Sequence, residues 1–214
     1  ADLTPFALTS PTQFTPAGPP ALTSRAYADA FNEVKALGSA TGSTRTADQT
    51  EIARFWADGA GTVTPPGHWN VIAEQMAVQQ GNSLSANARL FAQLNVALAD
   101  AGITAWNTKY QYEFWRPITA IQQAALDGNA LTIQDSTWTP LLLTPPFPEY
   151  ISGHSTFSGA AAEILTSVFG ANVGFTTTSL GLPGVTRTFT SFEQAAQEAG
   201  KSRIYGGIHF EFSN

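Results

Sequence analysis

The sequence predicts an all-α protein, a helical bundle with long functional loops. Three observations lead there. Apolar residues recur at helical spacing behind recognisable caps. Runs that alternate with a period of two are sparse. The segments between the periodic runs are rich in Pro, Gly, Ser and Thr. At 214 residues one domain, 1–214, is the simplest organisation, and it can bury a full core.

The elements follow in order. Residues 1–23 carry Pro5, Pro11, Pro16, Pro19 and Pro20 and read as an extended arm over the surface. Ser24 can cap a helix with Tyr27, Phe31, Val34 and Leu37 on one face, stopped by Gly38. Thr46-Ala47-Asp48-Gln49 matches a capping box, and its helix runs through Ile52, Phe55 and Trp56 to end near Asp58-Gly59. Thr64-Pro65-Pro66-Gly67 reads as a turn before a helix over 69–80, and His68 as a loop residue. Ser85 starts a helix with a Leu90, Phe91, Leu94 and Leu98 stripe that ends near Gly102. Another runs from about 103 to 115. Pro117 pushes Arg116 out of the helical region, and a short helix follows over 118–126.

Residues 129–150 form a loop long enough to suggest function. It leads into Pro145-Pro146-Phe147-Pro148-Glu149-Tyr150-Ile151-Ser152-Gly153-His154. Three prolines stiffen the approach, and a helix rich in small residues then runs to Phe169-Gly170. The span 171–190 reads as loop or short hairpin. Ser191-Phe192-Glu193-Gln194 opens a last helix, to about residue 199.

Composition narrows the function. A net charge of −6 argues against non-specific binding to nucleic acid or anionic lipid. No apolar run is long enough to span a membrane. The absence of cysteine excludes disulfides and thiolate metal sites. The start at Ala1-Asp2, without Met, reads as a mature form after signal removal, so a secreted or periplasmic location is expected.

Only ten residues are Lys or Arg, so a cluster of them carries weight. Lys109 and Arg116 are seven residues apart, on one helical face. Ser152-Gly153-His154 places a histidine at a helix start, where free N–H groups and the dipole favour an anion. Ser202-Arg203-Ile204-Tyr205-Gly206-Gly207-Ile208-His209 adds a third cation and a second histidine. Singly, these have plainer readings: solvated charges, a helix cap, a core histidine. Together they suit a tetrahedral or trigonal-bipyramidal oxyanion, with Arg forks on its oxygens and Lys as a point charge.

The order Lys-x6-Arg-Pro, Ser-Gly-His, Ser-Arg-x5-His resembles the signature shared by vanadium-dependent haloperoxidases and type 2 phosphatidic acid phosphatases (the PAP2 superfamily). The resemblance implies a PAP2/haloperoxidase-like helical bundle with vanadate as cofactor, and phosphate fitting the same site. It implies that Lys109, Arg116, Arg203, Ser152 and Gly153 hold the oxyanion. His209 would be the axial partner, either the vanadium ligand or the phosphorus nucleophile, and His154 the acid/base. Trp106 and Phe147 match aromatics near the halide site of the chloroperoxidase-like branch, and Asp58 resembles the acid that pairs with the third-motif arginine. The implied activity is halide oxidation by hydrogen peroxide. The alternatives are a soluble acid phosphatase working through a phospho-histidine, and a non-catalytic oxyanion-binding domain. The implied partners are small molecules: peroxide and halide, or a phosphate ester. The pattern places an aspartate four residues after the axial histidine, where this sequence has Ser213. A hydroxyl without charge is therefore expected to support His209. The pattern also continues with a helix past that histidine, which is expected beyond Asn214.

Overall fold

Ser24 opens the first helix, α1 (Arg25–Leu37), by accepting the Tyr27 N–H, and the Gly38 N–H closes it on the Val34 carbonyl. In this computed structural model, which describes residues 3–214, four predicted caps hold, while Ser83 rather than Ser85 opens the helix that begins at Leu84. Thr46 and Gln49 form the reciprocal capping box of α2 (Ala47–Phe55). Ser152 caps α6 (Gly153–Phe169), and Ser191 caps α7 (Phe192–Tyr205). A capping side chain is worth about 1 kcal/mol, so these four sites fix where chain direction changes.

Three boundaries differ from the sequence reading. Thr64-Pro65-Pro66 is not a turn but the first turn of α3 (Thr64–Gln79). Proline costs nothing there, because the first N–H groups of a helix have no acceptor. The two helices expected over 85–115 are one, α4 (Leu84–Tyr112). Gly102 sits inside it, and a Cβ there would meet the Phe157 ring at 3.2 Å. The glycine marks close approach of α6 rather than a helix end. Helix α7 likewise runs through Gly200 to Tyr205, carrying Arg203 within it. Pro117 begins the short α5 (Pro117–Gln122), with Arg116 extended at its N-cap.

Residues 175–178 and 186–189 form β1 and β2, an antiparallel hairpin pairing Phe175 with Phe189. It is the only sheet among the described residues. Helix α6 packs between α4 and α7, and α2 lies against α7. One core cluster joins these helices around Trp56, Trp69, Ile72, Leu94, Leu165 and Phe192. A second joins α1, α5 and the chain end around Tyr27, Phe31, Ile121, Trp138 and Phe210. Residues 3–23 of the expected arm contain no helix or strand, and the first two lie outside the described residues. The arm is pinned to α4 by Asp100, whose carboxylate accepts the N–H groups of Phe6, Ala7 and Leu8. No helix among the described residues is long and apolar enough to cross a membrane.

Candidate active site

The end of α4, the start of α6, the end of α7 and the loop before α6 meet at one cavity of about 720 Å³. Gly153, His154, Arg203 and His209 line it together with Trp106, Phe147 and Phe157, whereas Lys109, Arg116 and Ser152 do not reach its lining. The rings of Trp106 and Phe147 lie 5.3 Å apart, and those of Trp106 and Phe157 6.1 Å apart, making a continuous aromatic wall. Asp58 borders the same space from the α2–α3 connection, and Pro65-Pro66 from the first turn of α3.

All three predicted cations are buried, so none is a solvated surface charge. Their donors are held differently. Lys109 Nζ donates to the carbonyls of Pro148, Glu149 and Ile151 at 3.0, 3.0 and 2.6 Å. It stands 5.2 Å from the centre of the Phe147 ring. Arg116 donates through Nε to Phe147 O and through Nη1 to Ile208 O. Its Nη1 also points at His209 Nε2, 3.0 Å away. Arg203 Nη1 donates to Trp56 O at 2.9 Å, while its buried Nε has no partner. Burial disfavours each charge: Lys109 falls to about 7, helped by repulsion from Arg116, Arg116 to about 10, and Arg203 to about 9 although Asp58 opposes this. Such a cluster gains most from a negative group between its members.

Ser152 Oγ accepts from the Ser155 N–H and hydroxyl, which leaves its own O–H as a donor. Gly153 is the first residue of α6, where the N–H has no intrahelical acceptor, and its Cα faces the Trp106 ring. His154 follows, with Nε2 buried and unpartnered. Burial, then the Arg203 charge, holds its imidazole well below the ordinary histidine range; backbone hydrogen bonds to Trp56 and Ala57 oppose this. Burial and the charges of Arg116, Lys109 and Arg203 do the same to His209.

A stability consequence follows. A histidine with a depressed folded value binds its proton more readily unfolded, so it contributes stability that disappears as pH falls below about 6.5. Glu149, raised by burial to about 7, has the opposite slope over part of this range. The contribution of His154 is therefore isolated by difference. Between pH 6.5 and 5, the stability slope of His154→Asn should be shallower than that of the parent, by up to about 1.4 kcal/mol per pH unit. Urea titrations at four pH values check this, and parallel slopes would refute it.

Asp58 and His68 correct the sequence reading. Asp58 makes no ion pair with Arg203; its carboxylate meets His68 Nδ1 at 3.1 Å. Its charge reaches Arg203 only through space. His68 is not a loop residue but a buried member of α3, its ring 4.8 Å from that of Trp56. The expectation for His209 also changes. A carboxylate does support it: Glu149 Oε1 lies 2.8 Å from His209 Nδ1. Ser213 donates its hydroxyl to the other oxygen of Glu149 at 2.7 Å instead of serving the histidine itself. Glu149 escaped the sequence reading although one signal was present. It is the lone acidic residue between Asp135 and Glu163, set among prolines and apolar side chains.

Fold and site together define a helical-bundle domain with a cavity that carries Arg203, two histidines and an aromatic wall. Residues 89–214 match the family model of the vanadium chloroperoxidase (VCPO) second helical-bundle domain, and the chain belongs to that family. It is 34% identical over 183 residues to the vanadium chloroperoxidase of Curvularia inaequalis, an alignment covering 74% of this chain and 30% of that protein. Its structure superposes on a bacterial vanadium-dependent iodoperoxidase with a TM-score of 0.84 at 39% identity, over 98% of this chain and 51% of that one. An apo-type bacterial vanadium-dependent chloroperoxidase shares the fold, with a TM-score of 0.76 at 18% identity over 98% of this chain and 50% of that one. The chain thus spans about half the length of these solved relatives.

Proposed function

We propose that this domain binds vanadate and oxidises halide with hydrogen peroxide. The observation that carries the reading is the aromatic wall of Trp106, Phe147 and Phe157 on the same cavity as His154, Arg203 and His209. The donor set suits an oxyanion. Arg203 Nε and His154 Nε2 are buried without partners, and three cations are concentrated where burial disfavours them. Arg203, Ser152 and the Gly153 N–H would hold the anion's oxygens, Lys109 and Arg116, whose donors engage carbonyls here, would add positive charge beside it, and His209 Nε2 would ligate the vanadium. When bound, vanadate supplies Lewis-acid activation of peroxide.

The remaining chemistry belongs to the chain. His154, held neutral, accepts a proton at Nε2 from peroxide as it binds and returns it to the departing hydroxyl. Arg203 and Lys109 balance negative charge without water. The aromatic wall gives a weakly hydrated halide a dry approach, which an alcohol leaving group does not need.

Bromination of an organic acceptor by peroxide after vanadate loading, run beside p-nitrophenyl phosphate hydrolysis without vanadate, tests the reading. Bromination that depends on vanadate is the expected result. Hydrolysis without bromination would replace it with a phosphatase acting through His209, and vanadate binding without either activity would replace it with a binding domain.

A further inference from the structure

We propose that Glu149 is the positioning residue of His209: its carboxylate accepts the hydrogen bond from Nδ1–H and so keeps Nε2 unprotonated, its lone pair accepting from Arg116 until an anion displaces that contact. Each end of the imidazole reports the same tautomer. Arg116 Nη1 stands 3.0 Å from Nε2, and a guanidinium can only donate, so Nε2 is the acceptor. A neutral ring that accepts at Nε2 carries its proton on Nδ1, which lies 2.8 Å from Glu149 Oε1. The same oxygen accepts the Phe210 N–H at 2.9 Å, so it acts as an acceptor from both neighbours.

The carboxylate is itself fixed. Its Oε2 accepts from Ser213 at 2.7 Å, and its own N–H donates to Phe114 O at 2.9 Å. Lys109 grips the Glu149 carbonyl. The side chain is fully buried, so it has one position available. A ligand or nucleophile histidine needs its outer nitrogen unprotonated, and a partner on the inner nitrogen enforces this. The supporting carboxylate therefore comes from the proline-rich stretch before α6, not from the segment that follows His209.

The effect on affinity rests on the reading of His209 as axial partner; the tautomer does not, so the two fail separately. Nitrogen-15 spectra of histidine-labelled protein, without any anion, should show His209 protonated at Nδ1 and bare at Nε2, with His209→Asn identifying the signals. Glu149→Ala leaves Arg116 on Nε2 and so should keep the tautomer, but it frees the Nδ1 end of the ring and should weaken vanadate binding by calorimetry about ten- to hundredfold. Glu149→Gln keeps an accepting oxygen and should keep the tautomer. The Ser213 hydroxyl lies within 2.7 Å of the carboxylate, so Glu149→Ala with Ser213→Asp returns a charge to that space and should recover most of the affinity. If Glu149→Ala does not fold, the glutamine and double variants decide. Parent-like vanadate affinity in the alanine variant, a reversed tautomer in the glutamine variant, or no recovery in the double variant overturns the proposal. If the parent binds neither vanadate nor phosphate, the axial role of His209 falls, and the spectra alone judge Glu149.

Discussion

His154→Ala should lower vanadate-dependent halide oxidation by about 10²- to 10⁴-fold, the range of a lost acid/base group, while vanadate stays bound. The separation follows from position. His154 is the second residue of α6, and its free Nε2 faces the cavity. Burial and the neighbouring Arg203 keep it neutral, ready to take a proton. The groups assigned to the anion lie elsewhere: Arg116 at the N-cap of α5, Arg203 in the last turn of α7, Ser152 and Gly153 just before it. Alanine at 154 therefore removes the proton carrier and leaves the cradle. Initial rates and calorimetric vanadate affinity, measured on one preparation, check both halves. Turnover within about tenfold of the parent would remove His154 from the reaction.

The largest loss of stability is expected at Trp56. Trp56→Ala should cost about 3–5 kcal/mol, the range for emptying a buried aromatic site. The ring is 1% exposed and touches Phe55, His68, Trp69 and Phe189, with centroid separations of 4.8 to 6.1 Å. Its Nε1 donates to Glu198 on α7, which also takes Arg187 from β2. One side chain thus links the end of α2 to α3, the hairpin and α7. Its main-chain carbonyl, the acceptor that orients Arg203, survives in the alanine variant, so vanadate affinity falls only as far as the backbone shifts. Urea unfolding of the alanine and phenylalanine variants checks the magnitude. A loss under about 1 kcal/mol for alanine would show that the cluster closes around the gap.

Much of this protein was legible in its residues. Ser24, Thr46, Ser152 and Ser191 announce helix starts because capping is a local hydrogen bond between near neighbours. The three site motifs were legible for a related reason: each is a short segment at a helix end, and side chains near one helix end stay near each other. The sequence misled where packing outweighs propensity. Gly102 signals a helix stop, yet α4 continues because a glycine there lets Phe157 close against it. The double proline signals a turn, yet a helix can begin on it.

By itself the sequence determined the helical class, four of the caps, and that Arg203, His154 and His209 belong to short motifs, which the fold brings to one cavity. Only the tertiary structure decided how those groups are paired. Glu149 serves His209 across 60 residues, and Asp58 turns to His68 rather than to Arg203. Local rules fix backbone hydrogen bonds within a few residues. The partner of a buried charge is set by which side chains folding brings within about 3 Å, and no local pattern encodes that distance.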